Sequence, residues 1–595
     1  MLSAVSSAHA ALSLVNCAAR CGTAVLTSRR LTPNLIPLVR TIRGYERAFL
    51  RFDLTAGLVL AAMLIPQGMA YAELTGLPAV TGIYTTIAAL LAYAVFGPNR
   101  QLVLGPDSSL APVIAAVVLP LAAGDVALAV ALASALSLLA GVVCIAAGFL
   151  RLGVVTELLS KPIRIGYLNG IAVIVLISQL PKALGFSVDA DTSIDTVIAT
   201  IRAVLDGETV GAALLLSAGS VLTIVVLRRV SKMTPGVVVA AVGSILAVAL
   251  FDLTAKGIAT VGDLPTGLPV LTVPGVGLDL VPALFGGAIA VALVSFADTG
   301  ALSTATSLKS GVRVDPNSEI KALGTANLLS GLFQGFPTSA SSSRTAVAMT
   351  AGAKTQVTGL IAAAGVLVIF VVFPGLIASM PSATLAAIVI TASFTLFDWP
   401  QTKFLFRART SEFLLAMGAF LGVVLLGVLE GIVVAIALAL ANFVRKAWRP
   451  HSVELGKVKG MPGYHDRERH PEATVIPGLL IVRFDAPLFF ANAPNFGRRL
   501  QEMVRSSGRE IICVLVVSNA ITDIDTTGAE IMSDVLHDLD QKGISLAFAG
   551  LKGPVKDRLR SYGLYDRIGH ENFHSNTISA VESYTKANSS DWPPT

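Results

Sequence analysis

PTSASSSR, residues 337–344, lies between the apolar stretches 323–333 and 345–353. A guanidinium is expensive in hydrocarbon unless a polar cavity holds it. Irregular backbone survives at membrane depth only where protein or a cavity surrounds it, and Gly335, Pro337 and the hydroxyls that follow suit a helix that starts partway across a bilayer. The free amides at such a start carry partial positive charge, so with Arg344 beside them they favour an anion. The expectation is a membrane protein that carries anions.

Apolar segments near the ~20 residues needed to cross a bilayer fall at 54–75, 78–96, 125–150, 165–185, 210–228, 235–251, 281–307, 355–376, 382–397, 411–428 and 429–445. Three weaker pieces, 106–120, 319–333 and 341–353, bring the total to about fourteen spans. Two of these pieces occupy corresponding positions in the two halves of the chain. One follows GPNRQLVLG (97–105) and begins PDSS; the other follows GLFQGFPTSA (331–340) and begins SSSR. Either alone also reads as a Gly/Pro-rich loop. In register they predict an inverted repeat in which two half-helices enter from opposite sides and bring their N-termini together near the midplane.

Basic residues gather in alternate loops: Arg151, Lys161 and Arg164; Arg228, Arg229 and Lys232; Lys309, Arg313 and Lys321; Lys403, Arg407 and Arg409; Arg445, Lys446 and Arg449. These loops read as cytoplasmic, and those carrying Asp189, Asp191 and Asp195 or Asp252, Asp263 and Asp279 as external. Seven arginines against Glu46 alone precede Asp53, which places the N-terminus inside as well.

Composition agrees: 54% of the 595 residues are hydrophobic, 14% are charged and the mean hydropathy is +0.74, a balance foreign to soluble globular chains. All histidines except His9 lie at or beyond His451, and Cys17, Cys21, Cys144 and Cys513 are too scattered for a zinc or disulfide framework. No metal, cofactor or catalytic residue is expected. The net charge of +6 comes without the aromatic and basic surface that binds nucleic acid. An enzyme is the least expected class.

Asp298 is the second charge inside an apolar helix expected over 282–307, about 16 Å from the cytoplasmic boundary at ~1.5 Å per residue. It either pairs with Arg344, holds a proton or helps to bind a cation; a helix ending near Ala297 would instead leave it a solvated cap. In IPQGMAYAELTGLP (65–78), Pro66 bends the first span. Gln67 and Tyr71, four apart, share a face that can line a cavity; the plainer reading makes Pro66 a packing kink and Tyr71 an interfacial belt residue.

PQGMAYAELTGLPAVTGIYTT, LVLGPDSSLAP and SSSRTAV resemble the sulfate permease (SulP) family of anion transporters, over nearly everything after Tyr45. The resemblance implies fourteen spans in a 7+7 inverted repeat, a core domain that carries the anion past a gate domain, and a homodimer. It also implies that Asp107, Ser108, Ser109, Ser341, Ser342, Ser343 and Arg344 bind the anion, with Gln67 and Tyr71 facing them. Asp298 matches the acidic position of the family's eighth span, which is linked to proton or sodium coupling. In the sodium-coupled branch a hydroxyl follows that acid by one turn; here Leu302 stands there, with Thr299 and Ser303 nearby. Proton symport is therefore preferred over sodium symport and over anion exchange.

After Pro450 the pattern changes to short apolar runs between helical stretches. Strands are expected at 476–483, 511–517 and 545–549, and helices near 493–507, 528–542, 553–562 and 576–587. FDAPLFFANAPNF (484–496) and AITDIDTTGAEIM (520–532) resemble the STAS domain of the same transporters. That implies a regulatory or partner-docking loop at Asp525, Thr526 and Thr527, although Asp525 also reads as an ordinary helix cap. The domain plan is a basic, mostly disordered cytoplasmic extension (1–48), a membrane transporter (49–446), a linker (447–473), an α/β STAS domain (474–588) and a disordered tail (589–595). The whole reads as an all-α polytopic membrane domain plus a small soluble α/β domain, in the cell membrane with both termini cytoplasmic. It would move an inorganic or small organic oxyanion: sulfate, bicarbonate or a dicarboxylate. A nucleobase carrier and a transport-inactive signalling scaffold are the more distant readings.

Overall fold

The computed structural model describes residues 37–153, 160–188, 190, 192–230, 235–262, 270–277, 279–310 and 314–588. Residues 1–36 and 589–595, and with them most of the expected extension and the tail, lie outside the described residues, as do Asp189, Asp191, Lys232, Asp263 and Arg313.

In chain order the first unit holds α1 (Pro37–Arg43), α2 (Arg47–Leu74), α3 (Ala79–Phe96), β1 (Leu104–Gly105), α4 (Ala111–Ala122), α5 (Val126–Phe149), α6 (Lys161–Leu184), α7 (Ser193–Leu205), α8 (Gly211–Val230), α9 (Gly236–Phe251), α10 (Val281–Ser310) and α11 (Pro316–Leu332). It continues with β2 (Ser339–Ala340), α12 (Ser342–Thr350), α13 (Val357–Val372), α14 (Pro374–Ala378), α15 (Ser382–Leu396), α16 (Trp399–Ala408), α17 (Thr410–Leu426) and α18 (Val428–Trp448). Each of the apolar stretches and weaker pieces holds a helix. The piece 319–333, one of the three weaker ones, is part of helix α11, which Asp315 caps by accepting from the Asn317 and Ser318 amides. Among the described residues eight helices are long and apolar enough to cross a membrane, and α4, α9, α13 and α17 are shorter apolar helices. Two connections thought to be plain loops contain α7 and α16.

The helices pack in two sets. In one, α11 lies along α5, α13 along α2, and α3 between them, with α10 against α5; in the other, α6 packs on α15 and α17, and α8 on α9 and α15. Small residues permit the tightest crossings: a Cβ on Gly82 would sit 1.9 Å from the Gly68 carbonyl oxygen, and one on Gly166 1.9 Å from that of Ala416. Leu215, Leu250, Val433 and Leu440 stand exposed on the outside, as apolar side chains facing lipid do.

Asp53, fully buried near the start of α2, closes a polar knot with the loop after α12. Its Oδ1 accepts from the Lys354 amide (2.7 Å), the Thr355 amide (3.1 Å) and the Thr358 hydroxyl (2.9 Å). Its Oδ2 accepts from the hydroxyls of Thr355 (2.7 Å) and Tyr45 (3.1 Å).

The second compact unit begins within α18, at Ala439. It contains β3 (Ser452–Gly456), β4 (His465–Asp466), β5 (Gly478–Phe484), α19 (Ala493–Ser506), β6 (Ile511–Val517), α20 (Thr526–Asp540), β7 (Ser545–Ala549), α21 (Gly553–Ser561), α22 (Leu564–Ile568), β8 (Phe573–His574) and α23 (Thr577–Ala587). The sheet order is β4-β3-β5-β6-β7-β8, with β5 to β8 parallel and β3 antiparallel to both its neighbours. Its central strands are buried on both faces, which is why IICVLVV and SLAFA read as unbroken apolar runs. One face packs on α19 to α22 and the other on Ala580, Val581 and Tyr584 of α23. The stretch 447–473 is not merely a linker: it supplies β3 and β4. Its charges misled because Glu454 pairs with Arg467 and Arg509 (2.5 Å each) while the strand still bonds to β5.

Candidate functional site

The two short helices begin side by side. The strand before α4 and the strand before α12 form an antiparallel pair, Leu104 opposite Ala340 and Gly105 opposite Ser339. The Ser341 amide extends it by donating to the Val103 carbonyl at 3.3 Å. Ahead of α4 the Asp107 carboxylate accepts from the Ser109 amide (3.1 Å) and hydroxyl (2.7 Å), within the turn that leads into the helix. Ser341 occupies the N-cap position of α12 without a side-chain cap bond, and its hydroxyl lies 3.1 Å from that of Ser343. Asp107, Ser108, Ser109 and Ser341 are buried, whereas Ser342 and Ser343 are exposed.

Arg344 is 1% exposed. Its guanidinium straddles the strand pair: Nη1 donates to the Pro106 carbonyl, and Nη2 to those of Gly105 and Ser339 at 3.2 Å each. The ion partner is Asp107, at 3.6 Å; Asp298 is not. Nε finds no partner among the described residues, so one donor of the fork remains open. A planar fork that reaches several carbonyls at once is a job for Arg rather than Lys.

Asp298 lies inside α10, which continues to Ser310, so it is no terminal cap. It is half-buried and accepts one hydrogen bond, from the Ser109 hydroxyl at 2.9 Å. The Ser109 hydroxyl thus stands between Asp107 and Asp298, and its single hydrogen serves one of the two carboxylates at a time. Thr299 accepts from the Ala340 amide at 3.3 Å and thus holds α10 to β2. Ser303, grouped with Asp298 in the sequence reading, instead donates to Glu319 at 2.7 Å. Gln67 and Tyr71 are both buried beyond Pro66 in α2. The Gln67 Oε1 has no partner among the described residues, and the Tyr71 phenol lies against Ser108.

Glu319 is a buried carboxylate that sequence reasoning passed over. It accepts from Tyr93 and Ser303, and Asn99 extends the network to the hydroxyls of Ser303 (3.2 Å) and Thr306 (2.7 Å). A Glu in the first turn of a helix is ordinary, so nothing in the sequence set it apart.

In the second unit, Asp525 caps α20 by accepting from the Gly528 amide at 2.7 Å and holds the Phe490 amide at 2.8 Å. Thr526 is exposed and Thr527 half-buried. Burial pushes the Cys513 thiol up, against an opposing hydrogen bond with Ser545, which makes it an inert core thiol.

A many-helix apolar bundle in which two short helices start from paired strands, followed by an α/β sheet unit, defines a polytopic membrane protein with a second, α/β domain. The sulfate permease family model matches residues 50–419 and the STAS domain model residues 470–581. A probable sulfate transporter of Mycobacterium tuberculosis is 38% identical over 550 residues, 92% of this chain and 98% of the relative. Probable sulfate transporter 4.2 of Arabidopsis thaliana is 30% identical over 559 residues, 91% of this chain and 82% of the relative. The murine solute carrier 26 family member A9 anion transporter in its inward-facing state superposes with a TM-score of 0.85 at 21% identity, covering 97% of this chain and 98% of that one. The transmembrane domain of the cyanobacterial bicarbonate transporter BicA gives 0.58 at 26% identity, over 66% of this chain and 98% of that one. The chain belongs to the sulfate permease family.

Proposed function

We propose that the protein is a secondary active transporter of oxyanions, sulfate foremost, working by proton-coupled symport with alternating access. The observation that carries this reading is the joined start of the two half-helices with a buried Arg344 between them. Helix N-termini and a cation together favour an anion in a low-dielectric setting. The open Nε of Arg344, the Ser341 hydroxyl, Gln67 and Tyr71 would contact the anion.

Asp298 couples the step. An ionised carboxylate near the anion repels it, whereas a protonated one does not and donates a hydrogen bond; Ser109 passes that change to the α4 start. The set containing α2, α3, α5, α10, α11 and α13 then moves with the anion past the set built on α6. The STAS unit regulates or recruits partners through Asp525, Thr526 and Thr527 and does no chemistry, and the working form is a homodimer in the cell membrane with both termini cytoplasmic. Leu302, one turn after Asp298, offers no side-chain oxygen to sodium.

Radiolabelled uptake by purified protein in liposomes decides this, with sulfate, bicarbonate and fumarate compared under imposed proton and sodium gradients. Sulfate uptake accelerated by an inward proton gradient is expected. Uptake driven by sodium alone, or only by a counter-anion, would replace symport with protons by one of those modes; absence of any anion flux would sink the transport reading.

A further inference from the structure

The face of α6 turned toward α10 carries two side chains with unused hydrogen-bonding capacity. Arg164 is half-buried, and its guanidinium donates one long bond, from Nη1 to the Ala297 carbonyl at 3.5 Å. Tyr167 is 5% exposed and its hydroxyl has no partner among the described residues. Three residues apart on a helix, they share a face, and both lie within electrostatic reach of Asp298. Asp298, next to Ala297, holds a single hydrogen bond and no ion pair among the described residues. The two partners belong to different helix sets: α6 packs on α15 and α17, α10 on α5. The other charged groups around Asp298 are committed elsewhere. Asp107 stands behind Ser109 and is paired with Arg344, and Glu319 of α11 is occupied by Tyr93 and Ser303.

We propose that Arg164 and Tyr167 form a receptor for the ionised carboxylate of Asp298, latching the two helix sets while Asp298 is charged and freeing them when it takes a proton. This rests on the proton-coupled reading above. A proton from water adds to a carboxylate oxygen, Arg164 stays cationic, and only the hydrogen bonds across the interface are given up. An ion pair in a low-dielectric interface resists separation, because parting it leaves two uncompensated charges; a neutral acid imposes no such penalty. Arg164 and Tyr167 would thus be positioning residues that make movement conditional on protonation.

The test uses the full chain with R164Q, R164K, Y167F, D298N and R164Q/D298N. Thermal unfolding of the purified proteins in detergent needs no substrate: the R164Q and D298N shifts are expected to be non-additive, with the double variant no less stable than D298N alone. In liposomes, R164Q should lose the dependence of sulfate uptake on external pH, with proton-gradient stimulation falling about tenfold, the scale of a coupling between two sites. R164K should keep the dependence and Y167F should weaken it. Additive unfolding shifts, or a wild-type pH profile in R164Q, would overturn the latch. Should R164Q fail to fold, Y167F combined with D298N completes the same cycle, with additive shifts again overturning the latch. Wild-type protein without proton-dependent sulfate uptake would defeat the functional reading, and the unfolding cycle would still decide the latch.

Discussion

Asp53 and Asp298 are both carboxylates enclosed by the membrane bundle, and their surroundings could hardly differ more. Asp53 accepts five hydrogen bonds from two amides and three hydroxyls, and these join the start of α2 to the loop after α12. Asp298 accepts one, from Ser109. A buried charge whose every lone pair is occupied is held in place, because moving it would strand several donors at once. An under-coordinated charge can change state at modest cost. Saturation separates the structural acid from the working one, and Arg344 stands between them, with both Nη atoms engaged and Nε open.

Arg344→Ala should cost most, since it removes the cation and strands the carbonyls of Gly105, Pro106 and Ser339. Sulfate uptake should fall to background, with a stability loss of about 3 kcal/mol or more, and R344K should not restore it. Asp53→Ala comes next: about 3 kcal/mol lost and uptake reduced only as far as folded protein is reduced. A D53A protein as stable as wild type but inactive would break the contrast. Asp298→Asn should shift stability by no more than about 1 kcal/mol while removing acceleration by a proton gradient, and a large loss of fold would place it with Asp53. Smallest is Asp525→Ala in the second unit, expected to cost about 1 kcal/mol as a lost helix cap and to leave uptake by the membrane unit intact. Denaturant or thermal unfolding set beside liposome uptake measures all four.

The spans were legible because a bilayer demands long apolar runs, and the half-helices because Gly, Pro and hydroxyls interrupt those runs at 97–109 and 331–343. What Arg344 touches was not legible. Its hydrogen-bond acceptors are backbone carbonyls, which every residue carries, so no side-chain pattern announces them. Glu319 and Asp53 stayed hidden for a similar reason: each sits near a helix start, where an acid is unremarkable by sequence. In the C-terminal unit the central strands were read to the residue at 511–517 and 545–549, since burial on both faces leaves them uniformly apolar. Strand Ser452–Gly456 escaped because Glu454 and the surrounding charges gave it the look of a linker.

The pairing of Leu104 with Ala340 joins positions 236 residues apart in the chain. At ribosomal rates of ~5–20 residues per second, the later strand emerges roughly 10–50 s after the earlier one. Throughout that interval the Gly105 and Pro106 carbonyls have no guanidinium to meet. The first half-helix is thus a promise kept only when the second half of the message has been translated, and a nascent chain stopped before residue 339 inserts its spans without ever completing the centre of the molecule.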